Sequence, residues 1–204
     1  MKLILMTTPH FFVEEHQILS ALFEEGLDIL HLRKPNTEPI FSERLLQLIP
    51  DTFRKNIVTH DHFYLKNEYG LHGIHLNERN PELPNNYKGH KSITCHSAEE
   101  LCSNKGIYDY VFLSPIYDGI SDPTQISQFT SKDLSEMAKQ KLLGKNVIAK
   151  GGIELENIPY LIDLGFGGVV ISGSLWSKFN IHQTSDFKEV IAYFRKLKKS
   201  VSHS

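Results

Sequence analysis

The chain has 204 residues, 40% of them hydrophobic, with 22 basic and 24 acidic side chains and a formal net charge of -2. That composition excludes a disordered, collagen-like or disulfide-framework protein, and the near-zero charge gives no electrostatic case for nucleic-acid binding. The length fits one domain able to bury roughly 70% of its unfolded surface without a metal or disulfide staple.

Short apolar runs alternate with segments of helical period. Lys2 to Met6 reads as a buried strand. Val13 to Glu25 reads as a helix with Val13, Ile18, Ala21 and Leu22 on one face, stopped at Gly26. Leu27 to Leu32 is the second strand, Pro39 to Ile49 the second helix and Asn56 to Thr59 the third strand. A short helix follows near His62 to Asn67, then a fourth strand at Gly73 to Leu76. Past a Pro/Asn-rich loop (Asn80 to Lys88), Ser92 to Cys95 is the fifth strand. Ser97 caps the next helix, with Glu100 completing a capping-box pattern. Asp109 to Leu113 is the sixth strand, followed by a long loop from Ser114 to Phe129 and a helix starting at Ser131. Asn146 to Ala149, a helix at Leu155 to Leu164, and Gly168 to Ser172 complete eight strands. A terminal amphipathic helix spans Asp186 to Lys199, and residues 200–204 read as a polar tail.

Eight apolar strands joined by helices argue for a parallel sheet buried on both faces. Their number favours a single closed (β/α)8 TIM barrel over residues 1–199 rather than an open doubly wound sheet. No linker or low-complexity segment divides the chain. The opening run is too short for a secretory core, and no stretch approaches the roughly 20 apolar residues of a membrane span. Cys95 and Cys102 read as two buried thiols of a reducing compartment. These features together predict a cytoplasmic protein. The eleven histidines are scattered and lack the HExxH spacing of a zinc site.

In such a barrel the chemistry sits at the C-terminal ends of the strands. Two strand ends carry small residues: Gly151–Gly152 and Ser172–Gly173–Ser174. Such turns present backbone N–H groups to phosphate, although both also serve as plain strand-to-helix turns. Arg33 ends the second strand, where a guanidinium fork suits a diphosphate, and Lys34 beside it reads as a solvated cation. Asp61, after the third strand, is either a Mg2+ ligand or the N-cap of the next helix. His75 reads as a core histidine. Cys95 and His96 point to opposite faces and so make no nucleophile pair.

Taken in order, HLRK, VTHD, GIHL, ITCHS, DYVFLSPIYD, IAKGGI and GFGGVVISGSLW resemble the thiamine phosphate synthase/thiazole tautomerase family across nearly the whole chain. The resemblance implies a (β/α)8 barrel that joins hydroxymethylpyrimidine diphosphate to thiazole phosphate, releasing pyrophosphate with Mg2+. It implies small phosphorylated pyrimidine and thiazole partners, with neither nucleic acid nor membrane, and leaves a homo-oligomer open. By the same resemblance Arg33 grips the diphosphate and Asp61 binds Mg2+, with His60 where Asn is usual. Thr94 stands for a diphosphate-binding serine, and Ser121 matches a hydroxyl of the long loop. Gly151, Gly152, Ser172 and Gly173 form the thiazole-phosphate turns.

The chain departs from the family at several of these positions. His31 replaces a glutamine, and the lysine of the strand-2 motif falls at Pro35, with Lys34 one place away. The second metal-binding aspartate falls at Asn80, a neutral ligand. The lysine of the long loop falls at Asp122, and the tautomerase histidine falls at Pro115. Lys150 replaces an aliphatic residue and restores an ammonium group if it points into the barrel mouth. The departures motivate a second reading: a weakened or non-catalytic member that binds thiamine phosphate or thiazole phosphate, or a repurposed thiazole-phosphate enzyme.

Overall fold

Eight short parallel strands pair in chain order and close on themselves in the computed structural model, which describes residues 1–179 and 187–202. They are β1 (Lys2–Met6), β2 (Ile29–Leu32), β3 (Ile57–Thr59), β4 (Gly73–Leu76), β5 (His90–Cys95), β6 (Tyr110–Leu113), β7 (Val147–Lys150) and β8 (Gly168–Ile171). β1 pairs with both β2 and β8, which completes the (β/α)8 barrel. The helices are α1 (Glu15–Glu24), α2 (Pro39–Leu48), α3 (Asp51–Arg54), α4 (Leu65–Glu68), α5 (Ala98–Asn104), α6 (Ser131–Lys139), α7 (Ile158–Asp163), α8 (Gly173–Trp176) and α9 (Lys188–Ser202). A 3-10 turn at Leu155–Asn157 leads into α7.

Alternation along the strands explains what each side chain meets. Leu3, Leu5, Leu30, Leu32, Val111, Leu113, Val147, Ala149, Val169 and Ile171 pack outward against the helices in the larger core. Ile4, Met6, Ile29, Val58, Tyr110, Phe112, Ile148 and Val170 form a smaller cluster inside the barrel. Continuing the inward parity from Ile29, Val58 and Ile148 by two residues gives His31, His60 and Lys150. One more step along β2 gives Arg33. Lys34 and Asp61 fall on the opposite parity.

Local chemistry sets the helix ends. Pro39 opens α2, where its missing N–H is harmless. Ser97 Oγ accepts from Glu100 N at the start of α5, but the Glu100 carboxylate takes the His96 N–H at 2.7 Å, so the box closes one residue early. Thr130 and Asp133 form a complete capping box on α6.

Several expectations are corrected. Val13 is 81% exposed and lies before α1, whose buried face carries Ile18, Leu19, Leu22 and Phe23. The helix after β3 starts only at Leu65, and its cap position is Tyr64, so Asp61 is not its N-cap. Helices α3 and α8 lie where no helix was read from the sequence. α9 extends to Ser202 and buries Val201, shortening the expected polar tail; Asp186, its expected start, lies outside the described residues. Both cysteines are free, but Cys102 is exposed and only Cys95 is buried. Among the described residues no helix is long and apolar enough to cross a membrane.

Candidate active site

At the C-terminal mouth a cavity of about 330 Å³ is lined by Arg33, Ser121, Asp122, Lys150, Gly151, Gly152, Ser172 and Gly173, among others. Thr7, Met6 and Trp176 complete its wall. Trp176 is fixed by Nε1 donating to Met6 O at 2.8 Å. Arg33 is held by its backbone: its N–H donates to Thr7 Oγ1, which donates in turn to Arg33 O, both at 3.0 Å. Its guanidinium makes no hydrogen bond or ion pair among the described residues. Lys150 points inward and donates to Ser114 Oγ at 3.2 Å. Burial, then the charge of Arg33, pull its ammonium down to about 8. Two cations thus converge on one cavity without an ion pair, which is electrostatically a seat for an anion.

The glycines of this wall have a packing reason beyond any ligand. Gly152 has φ +61°, and a Cβ there would lie 2.2 Å from Asp118 O. A Cβ on Gly173 would lie 2.4 Å from Ser121 Oγ. The β7 and β8 turns therefore press directly on the long loop after β6, and that contact brings Ser121 to the cavity edge. Asp122, also at the edge, turns its carboxylate to Thr124 N and Oγ1 at 3.0 and 2.6 Å.

The β2–β4 side differs from the sequence reading. Lys34 is not solvated. It is buried, with Nζ 2.6 and 2.8 Å from the two Glu15 oxygens and 2.9 Å from His10 O, over the ring of Phe11. Burial outweighs attraction on both partners, pushing Glu15 up to about 7 and Lys34 down. Neither charge is offered to a ligand, so Lys34 does not stand in for the missing motif lysine. Glu15 carried no signal in the sequence beyond a helix-start acid.

His31 and His60 do not reach the cavity either; both are buried inside the barrel. His31 Nδ1 is 2.8 Å from His60 Nε2, and His31 Nε2 is 2.6 Å from Tyr110 Oη. His75 stacks on His60 and bonds Ser92 Oγ at 2.8 Å and Thr94 Oγ1 at 2.9 Å. Desolvation holds all three imidazoles well below the ordinary histidine range, hence neutral. The expected substrate hydroxyl of Thr94 is thereby engaged by His75.

The metal expectation meets a structural objection. Asp61 Oδ1 accepts from Arg79 Nη2 at 3.0 Å and from Asn80 Nδ2 at 3.1 Å. Asn80 Nδ2 also donates to His60 O at 3.1 Å, so this amide turns N–H groups, not its oxygen, toward Asp61. Asp61 Oδ2 is buried without a partner and is the one oxygen left for a hard cation. A single carboxylate oxygen beside a guanidinium makes no closed cage for Mg2+, and an ion held there would take its other ligands from water and substrate phosphate. In this arrangement Asn80 turns its N–H groups to Asp61, and Asp61 Oδ2 is the oxygen open to a cation.

Comparison with known proteins bears on this geometry. A family model described as thiamine monophosphate synthase matches residues 3–175. A thiamine-phosphate synthase of Nitrosococcus oceani is 27% identical over 143 residues, covering 67% of this chain. This chain spans only 64% of that relative's length. The crystal structure of thiamine phosphate pyrophosphorylase from Bacteroides thetaiotaomicron is 52% identical, with a TM-score of 0.92 over 99% of this chain and 98% of that one. The corresponding protein from Pyrococcus furiosus, 18% identical over 99% and 96% of the two chains with a TM-score of 0.71, shares the fold.

Proposed function

The chain belongs to the thiamine monophosphate synthase family, and from that premise we propose that it joins a hydroxymethylpyrimidine diphosphate to a thiazole phosphate, releasing pyrophosphate. The observation that carries the reading is the cavity where Arg33 and Lys150 converge beside the Gly151–Gly152 and Ser172–Gly173 turns. Such a seat suits the oxygens of a phosphorylated ligand.

In this reading the carbon–oxygen bond to the diphosphate breaks first, and negative charge develops on the leaving group. Arg33 and Lys150 are the cations placed to stabilise it. The electron-rich pyrimidine spreads the positive charge left on its methylene carbon, and the thiazole nitrogen then bonds to that carbon. The turns after β7 and β8, with Ser121, hold the thiazole through its phosphate. Positioning and charge stabilisation are the protein's whole contribution, and no general base is required.

A second reading, a member that binds thiazole phosphate or thiamine phosphate with little turnover, is favoured by one observation. Lys34 and Asp61, which would otherwise serve the diphosphate, are each paired inside the protein with Glu15 and Arg79.

Both readings are tested by mixing purified protein with the pyrimidine diphosphate and the thiazole phosphate, with and without Mg2+, and following thiamine phosphate. Synthase activity predicts turnover that falls about 10²–10³-fold in Arg33→Ala, the usual effect of losing one charge-stabilising donor. Wild-type turnover no faster than that variant, with thiazole phosphate still bound, selects the second reading.

A further inference from the structure

Two lysines are drawn out of water near the mouth, and they differ in what they touch. Lys34 is closed between both oxygens of Glu15 and the carbonyl of His10. Lys150 has one hydrogen-bond partner among the described residues, the hydroxyl of Ser114, and it faces the cavity that Arg33 shares. Ser114 is itself buried. A desolvated lysine beside a second cation, with no carboxylate bonded to it among the described residues, is the arrangement that makes an amine nucleophilic near neutral pH. The value of about 8 for Lys150 agrees, since a useful fraction of the amine is then unprotonated.

We propose that Lys150 is an imine-forming amine, condensing through Nζ with the carbonyl carbon of a small phosphorylated aldehyde or ketone held in the mouth cavity. Lys150 first gives its extra proton to solvent. The nitrogen lone pair then bonds to the carbonyl carbon, the carbonyl π electrons move to oxygen, which takes a proton, and the nitrogen releases a proton to solvent. The resulting carbinolamine loses its hydroxyl as water, using a second proton, as the nitrogen lone pair forms the carbon–nitrogen double bond. Electrons balance without an oxidant or reductant, and water is the only product released. Ser114 Oγ, 3.2 Å from Nζ, is the hydroxyl that orients the amine. The preference for a phosphorylated carbonyl compound rests on the anion seat proposed above, whereas the reactivity of the amine does not.

The test uses pyridoxal phosphate and pyridoxal as paired probes, each reduced with borohydride after brief exposure to the intact protein, with adducts located by peptide mapping. The expected result is an adduct at Lys150 ahead of the surface lysines with pyridoxal phosphate, slower with pyridoxal, and suppressed by inorganic phosphate. Lys150→Arg, which keeps the charge but forms no imine, is expected to lose this adduct; the wild-type mapping stands even if that variant folds poorly. Equal labelling of Lys150 by both probes, without competition by phosphate, supports the imine and removes the anion seat. Phosphate binding seen by calorimetry, with Lys150 labelled no faster than the surface lysines, overturns the imine and leaves the anion seat standing.

Discussion

On the β2–β4 side of the barrel mouth the charged groups answer one another inside the protein, whereas on the β6–β8 side they face a cavity. Lys34 is neutralised by Glu15 and Asp61 meets Arg79, while the neutral His31 and His60 bond each other beneath them. At the cavity Lys150 has only a hydroxyl partner among the described residues, and the guanidinium of Arg33, which enters from the end of β2, has none. Both sides stand at the ends of parallel strands in one barrel, so the fold does not set the difference. What sets it is whether each cation closes a direct ion pair with an acid, as Lys34 and Arg79 do and Lys150 and Arg33 do not among the described residues. A charge already paired gains little from an incoming anion, since the new contact must replace the old one. A desolvated cation without an acid gains the full attraction.

The largest effect expected from this contrast lies in the paired half. Glu15→Gln leaves the Lys34 ammonium buried opposite a neutral amide and should cost about 3–5 kcal/mol of stability in denaturant unfolding. The double variant Glu15→Gln/Lys34→Met should recover much of that loss. A single variant as stable as wild type would break the claim that this half is internally satisfied.

The histidine cluster predicts an acid-labile barrel. The three imidazoles have folded pKa values well below their unfolded value of 6.5. Below that pH the unfolded chain therefore binds protons that the folded chain does not. Stability is unaffected by this term above about pH 7 and should fall by roughly 3 kcal/mol between pH 6.5 and 5.5 for three such groups. Thermal melts across this range, compared with His75→Asn, measure the slope; a flat profile would mean the cluster is hydrated and open.

Smaller effects sharpen the cavity half. Lys150 has its folded value lowered to about 8, so its charge fades as pH rises through that point. Phosphate affinity should accordingly weaken about tenfold from pH 7 to pH 9, the loss of one charge-assisted contact. Lys150→Met should start weaker and show a shallower dependence, read by calorimetry. The smallest effect is at Arg79. Arg79→Ala should change stability by no more than about 1 kcal/mol, because the pair is partly exposed. The same change takes the guanidinium away from Asp61 Oδ1, leaving only the Asn80 amide on it, and should raise Mg2+ affinity above wild type; unchanged affinity would remove Arg79 as the group that keeps the ion out.

Most of the fold was legible because a parallel barrel needs uninterrupted apolar strands, and all eight were visible as such. The orientation of side chains at the strand ends was also present in the sequence, in the alternation itself. Lys150 shares parity with the inward Ile148, and Arg33 shares it with Ile29 and His31, while Lys34 and Asp61 fall on the other parity. Partners were not legible, because they come from distant segments. Glu15 lies 19 residues before Lys34, and Arg79 lies 18 residues after Asp61. Short elements were lost for a related reason: α3 and α8 have four residues each, too few for a helical period to show. The glycine turns read as phosphate cradles or plain turns from their composition, and only the fold reveals that the loop after β6 packs against them.

The most direct test of the divided mouth is an amide-detected NMR titration with thiazole phosphate. Saturable shifts are expected at residues 119–122, 150–153 and 172–174, with Lys34, His60 and Asp61 unmoved. Shifts centred on Lys34, His60 and Asp61, with the β7 and β8 turns silent, would contradict that division.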